Sequence, residues 1–524
     1  MRKLAKNPSG KLISINAMDI GRLLLAIVFL IAIYFFISAN PAGTGINSKL
    51  LIIAAIIGGY MALNIGANDV ANNVGPAVGA GAMTLTGAIF IAVVFEASGA
   101  LIAGGNVVET IKKGIIDPQM IADTATFIWV MTAALLSAAI WLNIATYSGA
   151  PVSTTHSIVG GVLGAGIAAG GWGIADWGVM QKIIASWVIS PALGGVIAAA
   201  FLLIIRRAIL ERTDKKKAAI TVVPILMAIM ALVFVSYLTL KGLKHIHKFS
   251  FPEAGGIGLV AGIIVYLLVR IRIHQRAENI KDIDSLFTLP LIVGAAFLSF
   301  AHGANDVANA VGPLAAINDA VVHGIAHGKA SIPIWVMLIG ALGIAFGLAL
   351  YGPKLIKTVG NEITELDKVR AFCVALSAAI TVIIASQFGL PVSSTHIAVG
   401  GIFGVGFLRE HLHTNYNQKI DKIRRHMREM EEKDEETIDA FIEKFNHASL
   451  SQKKVILSNM KRQARAEEIT WWERRRVKKA FKAQLVERSM LLKIVAAWIF
   501  TVPVAGLLSA AIFFMIRGML VVSA

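Results

Sequence analysis

The chain has 524 residues, of which 56% are hydrophobic and 15% are charged, with a formal net charge of +17 and a mean hydropathy of +0.71. Because ordinary soluble domains are about 25% charged, this composition excludes a soluble globular protein and predicts a polytopic membrane protein. Lysine and arginine lie in a few segments beside apolar runs, as in cytoplasmic loops, which argues against nucleic-acid binding.

The first apolar run covers residues 23–38 and follows a basic leader that contains Arg2, Lys3, Lys6, Lys11 and Arg22. A long basic leader without a small-x-small cleavage site predicts a retained helix that starts in the cytoplasm, rather than a signal peptide. The polar segment 41–48 carries no cluster of positive charge, so we predict that it is external.

A polar motif, GANDVANNVGP, interrupts the next apolar run at residues 66–76. Its glycines and its proline predict that a helix breaks there. Further spans are predicted at 88–102, 126–147 and 183–205, and the segment GAPVSTTH at 149–156 precedes the last of these. A basic cluster at 206–217 then marks the cytoplasmic side.

Both motifs recur in the second half of the chain. A linker hairpin of two predicted spans, 218–240 and 256–269, leads to GANDVANAVGP at 303–313, to spans at 334–350 and 371–387, and to GLPVSSTH at 389–396. The offsets are 303 − 66 = 237 and 391 − 151 = 240. Two different motifs in the same order at nearly one offset indicate an internal duplication.

A late segment at 409–493 is rich in lysine, arginine and glutamate, with apolar residues at helical spacing. We predict a soluble helical cytoplasmic insert, which is either a solvated basic helix or a regulatory or dimer contact. The predicted organisation is a leader with the first span (1–49), a first repeat (50–205), a linker (206–285), a second repeat (286–408), the insert (409–493) and a last span (494–524).

The number of spans between the basic clusters sets the orientation of the two halves. If each apolar segment crosses once, an odd number of spans separates the repeats, so they enter the membrane from opposite sides. The sequence therefore predicts an all-α membrane protein with two inverted repeats, and with broken or re-entrant helices at the motifs, around a site near the midplane.

Asp69 and Asp306, one in each copy of the first motif, are the strongest candidates for that site. Carboxylates and amides are costly in hydrocarbon and mark pathways or binding sites. Their oxygens suit a hard cation such as Na⁺, whereas amide NH₂ and free backbone N–H groups suit an anion. A purely structural role in helix-to-helix hydrogen bonding is the alternative, and the duplication favours a substrate site.

The second motif places serine and threonine after a proline, where a helix would begin. Hydroxyls, free N–H groups and the positive end of the helix dipole suit a tetrahedral oxyanion. His156 and His396 follow; they could orient the hydroxyls, cap a helix, relay a proton or bind a metal. Glu96 lies within a span and has no acidic counterpart in the other half, so a cation or proton role and a structural hydrogen bond both remain open.

Enzymatic chemistry is disfavoured by the same residues. Ser153 with His156, or Ser393 with His396, stand three positions apart, which is not triad geometry, and the duplication would make two such centres. The sequence contains no Walker A lysine motif, so ATP-driven transport by this chain is unsupported. Cys373 is the only cysteine, so two-thiol redox chemistry is excluded, and we expect a small buried side chain.

The four motifs resemble those of the inorganic phosphate transporter family, the phosphate permeases, over roughly residues 50–205 and 286–407. The resemblance implies uptake of inorganic phosphate with Na⁺ or H⁺ through inverted repeats, in a homodimer, in a bacterial inner membrane and without a cofactor. By motif position it implies a phosphate site lined by Asp69, Asn72, Ser153, Thr154, Thr155, Asp306, Asn309, Ser393, Ser394 and Thr395. The same resemblance implies that Asn68 and Asn305 help to hold coupling cations. Asp69, Asp306 and Glu96 join them as candidate cation ligands because they are carboxylates within the membrane.

Two points limit what the resemblance implies. In many relatives the large cytoplasmic segment lies between the halves, whereas here it comes late, so the regulation of those relatives cannot be carried over to this chain. Some members carry sulfate; the two aspartates, as acceptors for a phosphate O–H group, favour phosphate. Two alternatives therefore stay open, a sulfate permease and, from another class, a non-transporting membrane receptor or scaffold.

Overall fold

The computed structural model describes residues 17–39, 48–148, 152–242, 247–275, 282–323, 332–362, 366–429 and 488–521. Within these ranges the chain is helical, and the extended contact seen there is an isolated bridge between Ile116 and Ala175. Eleven helical segments of this part are long and apolar enough to cross a membrane. The predictions of an all-α fold and a multi-pass membrane protein are therefore confirmed.

The first half contains seven of the helices found in the described ranges. In chain order they are α1 (Ala17–Ser38), α2 (Ser48–Gly79), α3 (Leu85–Ala103), α4 (Gly105–Lys113), α5 (Thr124–Ser148), α6 (Thr154–Gly170) and α7 (Trp177–Ile205). The linker and the second half add α8 (Lys215–Gly242), α9 (Phe251–Gln275), α10 (Ile283–Leu286), α11 (Thr288–Asp306), α12 (Ala308–His323), α13 (Ile334–Glu362), α14 (Lys368–Gln387), α15 (Ser394–Glu429) and α16 (Arg488–Val521). Most of the predicted insert lies outside the described residues.

The first motif does not break its helix. Helix α2 runs through the whole motif with Pro76 in its interior, so the predicted break is wrong for this copy. In the second copy α11 ends at Asp306 and α12 begins at Ala308, which interrupts the helix at Val307. A proline removes only one N–H donor from a helix. The other backbone N–H and C=O groups of this buried segment still need hydrogen-bond partners, and the helix supplies them, so it continues through the motif.

The helices of the two halves pack in matching pairs. Helix α2 lies along α13, and its counterpart α11 lies along α3, the counterpart of α13. Likewise α6 packs on α16 and α15 packs on α7, so α16 takes the place in the second half that α7 takes in the first. Each half therefore completes the other, and neither repeat forms a separate core.

Glycines allow these pairs to approach at backbone distance. A Cβ atom on Gly66 of α2 would lie 2.0 Å from the carbonyl oxygen of Ile344, and one on Gly303 of α11 would lie 2.0 Å from that of Glu96. Gly347 and Gly99 make the reciprocal contacts, with the carbonyl oxygens of Leu63 and Phe300. These contacts fix the register, because they align α2 with α11 and α3 with α13 residue by residue.

Two helical hairpins carry the second motif to the interior. Helices α5 and α6 pack on each other, as do α14 and α15, and the described part of the motif, residues 152–156 in the first copy and 389–396 in the second, leads into the second helix of each hairpin. The far ends of α5 and α6 lie at one end of the protein, where Asp117 N–H donates to the Ile174 carbonyl (2.8 Å). The hairpin tips thus bring the serine and threonine residues of both motifs to the helices that carry Asp69 and Asp306.

Candidate functional site

The two motif aspartates lie side by side in the interior. Asp69 on α2 and Asp306 at the end of α11 are buried. One oxygen of each carboxylate, together with a ring nitrogen of His302, falls within a group whose atoms are all within 4.8 Å of one another. The fold thus joins two residues that are 237 positions apart in sequence into one acidic centre.

Hydroxyl groups from both hairpins surround this centre in a crossed pattern. Asp69 accepts hydrogen bonds from Thr154 of its own half (3.0 Å) and from Thr395 of the other half (2.9 Å). Asp306 in turn accepts from Ser394 of its own half (2.9 Å) and lies 3.4 Å from the Thr155 hydroxyl of the other half. Each of the two aspartate carboxylates is therefore surrounded by hydroxyl groups from both repeats.

The motif asparagines extend the crossed pattern. Asn72 donates its amide to the Thr395 hydroxyl (2.8 Å), and Asn309, at the equivalent position, donates to the Thr155 hydroxyl (3.2 Å). Each asparagine thus reaches the hairpin of the opposite half. The structure accordingly brings eight predicted residues into one hydrogen-bonded cluster: Asp69, Asn72, Thr154, Thr155, Asp306, Asn309, Ser394 and Thr395.

Ser153 and Ser393 start the two helices that point at this cluster. The hydroxyl of Ser153 accepts from the backbone N–H of His156 (3.1 Å), and that of Ser393 accepts from the N–H of His396 (3.3 Å). Both serines are therefore N-caps, and α6 and α15 direct the positive ends of their dipoles toward the aspartates. The capping bonds use these hydroxyls for helix ends; a direct phosphate contact by either serine stays a prediction.

Asn68 and Asn305 hold the hairpin tips in place. The Asn68 amide donates to the carbonyl of Val152 (3.2 Å), and the Asn305 amide donates to the carbonyl of Leu390 (3.1 Å). The amide oxygen of Asn305 also accepts from the N–H of Val392 (3.2 Å). In the structure both asparagines position the loops before α6 and α15, and their role with coupling cations stays a prediction.

His156 and His396 meet behind the cluster. Their buried rings are 4.6 Å apart in an edge-to-face arrangement. Each also packs on a tryptophan of the neighbouring helix: His156 on Trp187 and His396 on Trp498, both with ring centroids 3.8 Å apart. The two imidazoles thus join an aromatic cluster where the halves meet, and a proton-relay or metal-binding role for either stays a prediction.

His302 is a site residue that the sequence prediction missed. Its ring is buried, with Nε2 2.8 Å from Oδ2 of Asp306 and 3.7 Å from Oδ2 of Asp69, and with Nδ1 3.3 Å from Oε2 of Glu96. Glu96 in turn accepts from the amide of Asn73 (2.7 Å). A signal was available, because the GAND segment is preceded by histidine in one half and by Ile65 in the other.

The cluster combines two chemistries. The hydroxyls, amides and helix N-termini can donate to an anion, while the carboxylates offer oxygen ligands for a cation. Asn309 also has a buried amide oxygen that receives no hydrogen bond from the described residues. A site of this kind is suited to bind an anion next to a cation.

Comparison with known proteins agrees with this chemistry. A model of the phosphate transporter family matches residues 65–509. A "Putative phosphate permease" of Helicobacter pylori (strain ATCC 700392 / 26695) is 49% identical over 514 residues, covering 94% of this chain and 95% of the relative. A "Putative phosphate permease" of Pyrococcus furiosus is 42% identical over 364 residues, which cover 69% of this chain and 88% of the relative.

A solved structure shares the fold. The protein titled "The sodium-dependent phosphate transporter" superposes with a TM-score of 0.72 at 31% sequence identity, and the match covers 90% of this chain and 99% of that protein. The family match spans most of the sequence, including all four motifs and the helices that carry the cluster. The chain belongs to the phosphate transporter family.

Proposed function

We propose that this protein is a sodium-coupled symporter that imports inorganic phosphate across a bacterial inner membrane by alternating access. The observation that carries the proposal is the crossed network, in which hydroxyls of both halves donate to Asp69 and Asp306. Phosphate would bind among these hydroxyls, the amides of Asn72 and Asn309, and the starts of α6 and α15.

The network also gives a physical reason for coupling. A hydroxyl has one hydrogen and rotates to suit its partner. When Thr154, Thr395 or Ser394 turns to donate to a phosphate oxygen, the aspartate that it served loses a donor. A buried carboxylate that has lost its hydrogen-bond donors is costly, and a bound cation can stabilise its negative charge in their place. The cation is therefore bound more tightly when the anion is present.

Sodium fits the groups left behind. Na⁺ is a hard cation and prefers oxygen ligands, as the other hard cations do. The carboxylates of Asp69 and Asp306 and the buried amide oxygen of Asn309 supply such ligands. The solved relative is titled a sodium-dependent transporter, which supports Na⁺ over H⁺ as the coupling ion.

The paired packing supports an inverted arrangement of the halves. The main contacts between the halves recur with the roles of the repeats exchanged, as for α2 on α13 and α11 on α3, and for α6 on α16 and α15 on α7. Inverted repeats that meet at a central site let one half rock against the other and open the site to each side in turn. In this scheme the protein works as a homodimer, and each protomer has its own site.

Phosphate is favoured over sulfate by the aspartates. At neutral pH phosphate carries a proton and can donate to a carboxylate, whereas sulfate offers only acceptors. Asp69 and Asp306 both face the cluster that would hold the anion, so one of them can accept from a phosphate O–H group. A sulfate ion in the same place would meet two carboxylates with no hydrogen to offer them.

The test is uptake of labelled phosphate by proteoliposomes, with and without an inward sodium gradient at fixed pH. We expect the gradient to drive accumulation, and we expect Asp69→Asn and Asp306→Asn each to abolish it. The matched control is Asp176→Asn, because Asp176 is an exposed N-cap whose bond to the Val179 N–H (2.9 Å) asparagine can keep.

Four outcomes would count against the proposal. Equal uptake without sodium would remove Na⁺ as the coupling ion, and unlabelled sulfate competing as well as phosphate would indicate a sulfate permease. A protein that transports neither anion would favour the receptor or scaffold. Full uptake by both aspartate variants would refute the assigned site.

A further inference from the structure

Asn73, Glu96 and His302 form a buried polar chain behind the phosphate site. The Asn73 amide donates to Oε1 of Glu96 (2.7 Å), Oε2 of Glu96 lies 3.3 Å from Nδ1 of His302, and Nε2 of His302 lies 2.8 Å from Asp306. All three side chains are buried. The chain therefore connects α2 and α3 of the first half to the Asp306 carboxylate of the second.

This polar chain exists on one side of the duplicated fold. The offset of 237 between the motif copies places Ile65 opposite His302 and Ala310 opposite Asn73. The reciprocal glycine contacts align α3 with α13, which places Ile344 opposite Glu96. The three equivalent residues are buried and apolar, so the structure beside Asp69 has no counterpart of the chain beside Asp306.

Helix packing by itself does not require the polar residues. At the equivalent contact, α2 and α13 approach as closely as α11 and α3 do, with isoleucine and alanine in place of histidine, glutamate and asparagine. A buried carboxylate is costly unless its partners are well placed. The cost is met on one side only, which indicates a role in the site rather than in the fold.

We propose that Glu96 is a positioning residue for phosphate binding. Oε2 of Glu96 and Nδ1 of His302 lie within ion-pair distance, as do Nε2 of His302 and Asp306, although Oε2 and the two ring nitrogens make no hydrogen bond in the described residues. Through this electrostatic contact Glu96 keeps His302 against the carboxylate that Ser394 and Thr155 address. The two aspartates then have unequal roles: Asp306 is held by His302 at 2.8 Å, whereas Asp69 lies 3.7 Å from that ring. This inference rests on the proposed phosphate transport.

The experiment is a set of double-mutant cycles read by phosphate uptake in proteoliposomes. Outer-shell partners of metal ligands change affinity by about 10- to 100-fold, and we expect an effect of the same order here, so Glu96→Ala and His302→Ala should each raise the phosphate KM by about tenfold or more. Because both act through one contact, the double variant should be no worse than the poorer single variant. Glu96→Gln, which keeps an acceptor oxygen for His302, should restore part of the affinity.

Two further cycles locate the effect. His302→Ala combined with Ser394→Ala should be non-additive, because both residues act on Asp306. His302→Ala combined with Thr395→Val should be closer to additive, because Thr395 acts on Asp69. Ile344→Ala is the matched control for a cavity at the equivalent position, and it should lower the thermal unfolding temperature without raising the phosphate KM.

The results that would overturn the inference are specific. If Glu96→Ala and His302→Ala lower the unfolding temperature as Ile344→Ala does and leave the phosphate KM unchanged, the chain is only structural. Additive effects of the two substitutions would also refute it. Should either alanine variant fail to fold, Glu96→Leu and His302→Leu, which remove the same contact but leave less of a cavity, give the same cycle. Failure of the proposed function is distinguishable, because the wild-type protein itself would then take up no phosphate.

Discussion

Thr395→Val tests whether a site hydroxyl serves the anion or only the aspartate. Thr395, on the hairpin of the second half, donates to Asp69 of the first half (2.9 Å) and accepts from Asn72 (2.8 Å). Valine has nearly the shape of threonine and removes only the hydroxyl. If this hydroxyl turns from Asp69 to phosphate on binding, its loss weakens phosphate binding.

The expected magnitude follows from the bond that is lost. A hydrogen bond to a charged group contributes about 1.5–3 kcal/mol, and every 1.4 kcal/mol is roughly tenfold in affinity. The phosphate KM should therefore rise about 10- to 100-fold. Thr155 occupies the equivalent position, but its one hydrogen is shared between Asp306 (3.4 Å) and the Val392 carbonyl (3.0 Å). Thr155→Val should therefore cost less than Thr395→Val.

The assay is the initial rate of labelled phosphate uptake as a function of phosphate concentration, at saturating sodium. Thr381→Val is the control, because Thr381 is a buried threonine whose hydroxyl donates to the Ser377 carbonyl within α14 (2.8 Å), away from the aspartates. We expect this control to keep the wild-type KM. The reasoning is refuted if Thr395→Val matches the control, since the hydroxyl would then serve only Asp69.

Three further predictions concern stability, measured by thermal unfolding of the purified protein. Lys112 of α4 is buried in an ion pair with Asp319 of α12. Lys112→Met should therefore lower the stability by about 3–5 kcal/mol, and the added substitution Asp319→Leu should recover part of that loss. An unchanged unfolding temperature of Lys112→Met would contradict this. Gly66→Ala should destabilise by about 1–3 kcal/mol or more, because its Cβ would meet the Ile344 carbonyl, whereas Gly75→Ala, with no atom within 4 Å, should be tolerated; equal effects would contradict the packing argument. Asp123 is the N-cap of α5, and the hydrogen bonds from Thr126 hold the pKa of its carboxyl below the ordinary value of 3.8. The ionised carboxylate therefore stabilises the folded protein above that value, and this stabilisation is lost as the pH falls through the lowered pKa. Asp123→Ala should cost about 1 kcal/mol at neutral pH, and the difference from wild type should shrink in acid; a constant difference would be the contrary result.

The sequence predicted the elements of the site but not their contacts. Repeated polar motifs inside apolar runs identified Asp69 and Asp306, since an intramembrane carboxylate is costly and two copies at one offset are not chance. The pairing of Thr395 with Asp69 across the halves depends on how α15 packs against α2, over a separation of 326 residues. No local pattern encodes a contact at that distance.

The two misses have physical causes. A glycine and a proline lower helix propensity, yet burial of α2 between its neighbours outweighs that preference, so the first motif stays helical. His302 was missed because two of the three carboxylates that it faces, Asp69 and Glu96, lie on other helices; the third, Asp306, is one helical turn away on α11. The differences between the motif copies, Asn73 against Ala310 and His302 against Ile65, were visible, but they acquire meaning only when Glu96 is placed between them.

By itself, the sequence determined that this chain spans a membrane, that it is duplicated, and which oxygens and amides it places inside, because composition and repetition are properties of the chain alone. The tertiary structure decided that each aspartate is served by the opposite hairpin, that α16 completes the second half, and that His302 lies closer to Asp306 (2.8 Å) than to Asp69 (3.7 Å). Those features depend on which backbones approach within contact of one another, and the glycines of α2, α3, α11 and α13 permit that approach without specifying the polar partners that it brings together.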